Sequence, residues 1–457
     1  MKDIASGLSR FAPAGRTFHG SDRRAPLREG LRGCGEYGAS QTAGRFYPIA
    51  CVALEVTQRC NLDCTLCYLS DRAEMTYDPP LSVLFARLAS IHSHYGPGVS
   101  VQLTGGDPTL RKVEDLEALC REINRLGMRS CLMTNGIRAS RAFLTRLAAA
   151  GLNDVAFHVD MTQERAGFHS EADLNRVRRK YIARARGLGL RILINTTVFG
   201  ENLAEIPALA RFLRDQPEVA FVSFQMQADT GRGVLRERPD AITQASVMRA
   251  VEQGYATPLH FDAASVGHAS CNRYTSVLTA GGRAVSVLSN RRLVPRVIAA
   301  LERVDRNEDA HIPIRASVLS MAIRQPLLAL RAAAHLVGCV MRLGSGLLRG
   351  RVRRQAVFIH NFMAADALED DRCAACVFMV ATAKGPLSMC AHNAQRDVHL
   401  TTPDRVDGPM GRHWWNAAVK DLSDRPDLPD LDDPNIAPIK RLKGQLRARR
   451  KNVKGTR

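Results

Sequence analysis

Short apolar, β-branched segments alternate with amphipathic helical stretches between residues 48 and 235, and this rhythm restricts the chain to few architectures. The strand candidates are 51–56, 99–103, 129–133, 154–159, 190–197 and 219–226, short segments that together are rich in apolar and β-branched residues. Between them, apolar residues recur at helical spacing. Val113, Leu116, Leu119, Cys120, Ile123 and Leu126 form one stripe that stops at Gly127, and Leu203, Ile206, Leu209, Phe212 and Leu213 form another. Six β/α units predict an α/β fold with a parallel sheet and function at the C-terminal strand ends. Six units fall short of an eight-fold barrel. A partial (β/α)6 TIM-type barrel and a doubly wound sheet both satisfy the pattern.

The chain has 457 residues, of which 45% are apolar, enough for two or three domains with a substantial core. Four regions are expected: a basic, disordered N-terminal tail over 1–45, the β/α core over 46–235, a C-terminal extension over 236–400, and a linker with a basic tail over 401–457. Residues 401–439 are rich in Asp and Pro and read as loop. No run of eighteen apolar residues predicts a spanning helix, and the polar, basic N-terminus lacks a signal-peptide core. The expected location is cytoplasmic, with peripheral membrane contact open.

The formal charge of +19 is unevenly spread. Residues 1–45 carry +4, residues 313–354 carry eight Arg and no acid, and residues 440–457 carry nine basic side chains and no acid, leaving the body at −2. Such segments favour phosphate-rich partners. Residues 313–354 mix Leu, Ile, Val and Ala with Arg and contain Pro326, which predicts two helices. A lid with solvent-facing arginines and a helix lying on an anionic membrane both fit. No RNA-binding signature accompanies the tail, so nucleic acid is not an expected partner.

The twelve cysteines do not read as a disulfide framework in a long chain without an export signal. Cys51, Cys120 and Cys131 fall within strand or helix patterns and read as core filler, while Cys34 and Cys339 receive no role. The other seven form two groups. In CNLDCTLC, Cys60, Cys64 and Cys67 follow the first strand with spacing three then two. Three thiolates so placed can hold an iron–sulfur cube and leave one iron open. Structural zinc usually takes four protein ligands and paired Cys-x2-Cys units. Polar Asn61, Asp63 and Thr65 argue against a buried cluster of core cysteines.

This cysteine spacing after a first strand resembles that of the radical S-adenosylmethionine (SAM) superfamily. The resemblance implies a [4Fe–4S] cluster on Cys60, Cys64 and Cys67 whose open iron takes the amino and carboxylate groups of SAM. It implies reductive cleavage to a 5′-deoxyadenosyl radical that abstracts hydrogen from substrate. Thr104-Gly105-Gly106-Asp107 after the second strand matches the family's Gly-Gly-Glu segment for the SAM amino group, with Asp107 one methylene shorter than the usual Glu. Resemblance also places Asn135 near SAM. Asp160, Asn195 and Gln225, at strand ends, are further candidates for SAM or substrate contact.

Cys373-x2-Cys376, Cys390 and the upstream Cys271 could supply four thiolates to an auxiliary iron–sulfur cluster, with zinc as the second choice and His268, His360 and His392 as nearby substitutes. Over residues 48–395 the order of segments resembles the class D radical SAM methyltransferase and tetraether-synthase group. The strings that carry this are FQMQADTGRG, SCNRYTSVL, FIHNFMAADALEDDRC and GPLSMCAHN. Members of that group are assigned to methylation of a pterin precursor or to joining lipid chains through a carbon–carbon bond. The group commonly carries an N-terminal Cys-x2-Cys pair, whereas this chain has only Cys34 there, so one auxiliary cluster is expected rather than several.

Three readings follow. The first is radical C–H activation leading to methylation or C–C bond formation on a small molecule or lipid chain, fed by a reductase or a ferredoxin or flavodoxin. The second is a radical peptide maturase with an auxiliary cluster. The third is a zinc-containing basic protein that binds RNA or membranes.

Overall fold

A computed structural model describes residues 22–70, 72–232, 242–302, 314–408, 411–418 and 420–426. The six expected strands form as β1 (Cys51–Thr57), β2 (Ser100–Gly105), β3 (Arg129–Thr134), β4 (Asp154–His158), β5 (Arg191–Val198) and β6 (Val219–Met226). They pair in chain order and all in parallel. The intervening helices bury the expected stripes. In helix Val113–Arg125 these are Leu116, Leu119, Cys120 and Ile123. That helix ends where Gly127 turns left-handed at φ 69° and Met128 N–H donates to the Ile123 carbonyl at 2.9 Å, a glycine stop of the kind the sequence signals.

The sheet is wider than the β/α rhythm foretells. The extension adds β7 (Asn272–Ala280), β8 (Arg283–Ser286), β9 (Arg353–Asn361), β10 (Phe378–Thr382) and β11 (Gly385–Ser388). Strand β10 lies parallel beside β1, and β9 lies parallel beside β6. Eight parallel strands therefore run β10-β1-β2-β3-β4-β5-β6-β9, with β11 at one edge and the β7–β8 hairpin at the other. The rings of His360 on β9 and Phe378 on β10 meet at 5.0 Å, edge to face. The two ends of the parallel array thus approach each other by side-chain contact.

Alternate residues of every parallel strand face one interior. Ala53 and Glu55, Gln102 and Thr104, Cys131 and Met133, His158, Leu193 and Asn195, Ser223 and Gln225, Phe358 and His360, and Val380 all line a single cavity of about 1120 Å³. A flat, doubly wound sheet has no such common interior, so the partial-barrel alternative is the one that forms. Cys51 and Cys131 belong to this inward row. Both are buried, as their reading as core filler expects, but on the inward side of the sheet, while Cys120 packs in the main core between sheet and helices.

Two other expectations are revised. Within the supposed N-terminal tail, residues 25–33 form a helix that buries Leu27 and Leu31, and Gly30 sits so close to the Ala374 carbonyl that a side chain would collide with it. Within the supposed linker, β12 (Asp404–Gly408) and β13 (Gly411–Trp415) form a hairpin. Its Trp415 packs with Val83 and Leu400, and its Asp404 pairs with buried Arg87 at 2.6 Å. Apolar burial of this kind offsets the low strand propensity of an Asp- and Pro-rich stretch. Residues 1–21 and the basic tail 440–457 lie outside the described residues.

Pro326 does divide the basic apolar segment, into helices Ile314–Arg324 and Pro326–Met341, followed by a short helix Gly346–Arg349.

Candidate active site

The loop after β1 carries Cys60, Cys64 and Cys67, all half-buried and all on the cavity wall. It is fixed at three points. Thr65 N–H donates to the Thr162 carbonyl at 2.9 Å, Asp107 N–H donates to the Arg59 carbonyl at 2.8 Å, and Arg232 N–H donates to the Leu69 carbonyl at 2.8 Å. Burial pushes the Cys60 thiol up to about 11 and raises the Cys64 thiol well above its ordinary value, the neighbouring cysteines adding to the effect. Thiols in this condition ionise when a cation takes up the charge.

Thr104, Gly105 and Gly106 line the same cavity. Gly105 holds φ 118°, and an added Cβ at either glycine would collide with a backbone oxygen, that of Thr57 or of Arg59. The pair is therefore needed to let the β2 end pass the cysteine loop, and it leaves bare backbone facing the cavity.

Asp107 does not line the cavity. Its carboxylate is buried and turned toward β3. It accepts from Thr109 N–H at 3.0 Å and Thr109 Oγ1 at 2.5 Å, from Thr134 Oγ1 at 2.9 Å and from Asn135 N–H at 2.8 Å. Asn135 does face the cavity. Its Nδ2 donates to Asn61 Oδ1 at 2.6 Å and lies 4.0 Å from Cys60 Sγ. Asp107 thus sets the β3 end, and Asn135 joins that end to the cysteine loop.

The device recurs two strands on. Asp160, also buried and off the cavity wall, accepts from Thr162 N–H at 3.0 Å and from Thr197 N–H of β5 at 2.8 Å. Its Oδ2 is 2.6 Å from His158 Nε2. Burial works to raise this carboxyl, but the attraction of His158 and the hydrogen bonds from His158, Thr162 and Thr197 outweigh it and hold the group well below its ordinary value. The side chain that reaches the cavity here is His158, together with Thr197, Asn195 and Gln225. His158 had not been singled out. Its place on the inward row of β4 was the available signal.

Glu55, on β1, is a second unforeseen lining residue. It is buried and pairs with buried Arg396 from the C-terminal extension, and Gln58 Nε2 donates to it at 2.9 Å. Burial would raise the Glu55 carboxyl, but Arg396 and His392 lower it on balance. The Arg396 guanidinium also lies 4.7 Å from the centre of the Tyr68 ring, next in sequence to Cys67. The extension therefore grips the cysteine loop directly.

The second cysteine group converges as well. Cys390 feels the charges of Cys271 and Cys373, and Cys376 those of Cys390 and Cys271. Burial pushes Cys390 up to about 12. Arg372 Nε lies 3.2 Å from Cys271 Sγ, and Met363 N–H points at Cys390 Sγ at 3.4 Å. Cys390 also lines the large cavity, so both cysteine groups border one space. The proposed substitutes are engaged elsewhere: His360 with Asn272 at 2.8 Å, His392 near Glu55 at 3.9 Å, and His268 with Ser270 N–H at 3.1 Å. Among the described residues, no three His, Cys, Asp or Glu side chains gather closely enough for a single metal ion. A cube binds its thiolates on separate irons, so its ligands stand farther apart than those of one ion. The soft, all-thiol donor set and the open space beside it fit such a cluster.

The family described as "Radical SAM superfamily" matches residues 54–213, which span β1 through the helix before β6. The chain is similar to "7,8-dihydro-6-hydroxymethylpterin dimethyltransferase" of Methanocaldococcus jannaschii, at 27% identity over 39% of this chain and 36% of that protein. It is similar to "PqqA peptide cyclase" of Bradyrhizobium diazoefficiens, at 32% identity over 42% of this chain and 52% of that protein. Among solved structures, Streptococcus suis SuiB bound to precursor peptide SuiA matches with 14% identity and a TM-score of 0.36, over 55% of this chain and 56% of that one. The chain thus spans between about a third and about half of the curated relatives it matches.

Proposed function

We propose, for a chain whose residues 54–213 match the family described as "Radical SAM superfamily", that it activates a C–H bond of a small molecule or lipid chain for methylation or carbon–carbon bond formation. The observation that supports this best is the shared cavity. It is bordered by Cys60, Cys64 and Cys67, by Gly105, Gly106 and Asn135, and by Cys390 of the second group. When bound, a [4Fe–4S] cluster on the first three cysteines and SAM supply a 5′-deoxyadenosyl radical.

In this reading, Thr104, Gly105 and Gly106 offer backbone and hydroxyl groups to SAM, and Asn135 fixes the cysteine loop beside it. Asp107 and Asp160 are positioning residues that hold the ends of β3 and β5. Asn195, Gln225 and Thr197 present polar groups along the inner wall, and His158 is the side chain there suited to hold or pass a proton. Phe358, Phe378 and Leu193 also line the interior and would exclude water around an apolar portion of substrate. Cys271, Cys373, Cys376 and Cys390 would hold one auxiliary cluster, with iron–sulfur favoured over zinc by the all-thiol set. A reductase, ferredoxin or flavodoxin would supply electrons.

A peptide substrate is the second reading, favoured by the similarity to PqqA peptide cyclase and by the second cysteine group. The two are separated by supplying deuterated lipid and small-molecule extract, or deuterated peptide, to the reduced protein with SAM. Deuterium recovered in 5′-deoxyadenosine from the extract supports the first reading, and recovery from the peptide alone overturns it.

A further inference from the structure

The helices Ile314–Arg324 and Pro326–Met341 expose an apolar face that no described residue covers. Nine of the fifteen exposed large apolar side chains among the described residues fall between Val318 and Leu348. Six of them, Leu319, Ile323, Leu327, Leu330, Val337 and Met341, are between 61% and 75% exposed. On the second helix the pattern is ordered. At 100° per residue, Leu327, Leu330, Val337 and Met341 fall within an arc of about 80°, and the buried Cys339 lies on the opposite side. The helix therefore has two apolar faces, one packed against the protein through Cys339 and one turned outward.

The charge within these two helices has one sign. Residues 314–341 contain Arg315, Arg324 and Arg331 and neither Asp nor Glu, and Arg331 borders the outward arc. A partner must then be apolar and anionic at once. A second copy of the chain meets only the first condition, since two such faces would set arginine against arginine. No helix among the described residues is long and apolar enough to cross a membrane, which leaves a surface position.

We propose that the helices spanning residues 314–341 seat this protein on the surface of an anionic bilayer. Leu327, Leu330, Val337 and Met341 enter the headgroup–acyl boundary, and the arginines meet the lipid phosphates. The segment runs on into β9, whose Arg354 lines the large cavity, so the attached face and the interior are joined by a short stretch of chain. This inference is independent of which substrate the cavity takes.

Co-sedimentation of the full chain with vesicles tests it. The parent is expected to pellet with vesicles of mixed phosphatidylcholine and phosphatidylglycerol and to stay in solution with phosphatidylcholine alone. The triple variant Leu327→Glu, Leu330→Glu, Val337→Glu should bind the anionic vesicles at least about tenfold more weakly, with unchanged iron content and thermal unfolding. A Leu330→Trp variant, which keeps the face apolar, should shift its emission to shorter wavelength when anionic vesicles are added. The proposal is overturned if the parent does not pellet, or if the triple variant binds as well as the parent, which would assign binding to the basic tail. It is equally overturned if the parent is a dimer that the triple variant dissociates.

Discussion

The Asp107 carboxylate accepts a hydrogen bond from the backbone N–H of Asn135 at 2.8 Å, and so ties the end of β2 to the end of β3. This makes Asp107 a buried support for the site rather than part of its wall. Asp107→Ala leaves Thr134 Oγ1 and the Asn135 N–H without their acceptor and should cost about 2–4 kcal/mol. The accompanying loss of SAM affinity should track the loss of stability. Thermal unfolding and SAM binding, measured together on Asp107→Asn and Asp107→Ala, check this. Weakened SAM binding at unchanged stability would instead identify Asp107 as a direct ligand.

Asp160 and His158 predict an acid response. The Asp160 carboxyl is depressed in the folded protein by His158 and its hydrogen bonds. Its contribution to stability is therefore complete above the unfolded value of about 4 and fades as pH falls toward the depressed folded value. His158→Ala removes the strongest favourable attraction, so the folded value rises. The acid-unfolding midpoint followed by circular dichroism should move to higher pH. An unchanged midpoint would show that the Thr162 and Thr197 hydrogen bonds suffice.

Much of this arrangement was legible beforehand. All six core strands form where apolar segments alternate with helical stripes, because the strand face packed against the helices is buried in the main core. β9 and β10 escaped notice because they arrive without the preceding strand–helix rhythm, β9 only after the long stretch that includes the basic helices. The cysteine positions were readable from spacing. The direction of the acidic side chains was not, although the same signal stands twice in the chain: Asp107-Pro108-Thr109 and Asp160-Met161-Thr162. An Asp two residues before a Thr caps its own turn, as both do, and this turns the carboxylate away from the cavity.

The Glu55–Arg396 pair should matter more than a surface ion pair. Both groups are buried, so Arg396→Ala leaves an uncompensated carboxylate and should destabilise by about 3–5 kcal/mol. Arg396 also covers the Tyr68 ring beside Cys67. The reduced cluster's electron paramagnetic resonance spectrum should change in Arg396→Lys even where folding is retained. An identical spectrum would confine Arg396 to a structural role.

Replacement of Cys373, Cys376 and Cys390 together by Ser should remove about four irons per chain while SAM binding persists. Iron and acid-labile sulfide assays on anaerobically reconstituted protein read this out. Undiminished iron, or zinc in the parent, would contradict an auxiliary iron–sulfur cluster.

The central claim is that Cys60, Cys64 and Cys67 hold the cluster that cleaves SAM. Its most direct test is formation of 5′-deoxyadenosine from SAM by the reduced, reconstituted protein and by Cys64→Ala. The account predicts product from the parent and none above background from the variant. Equal product from both would contradict it.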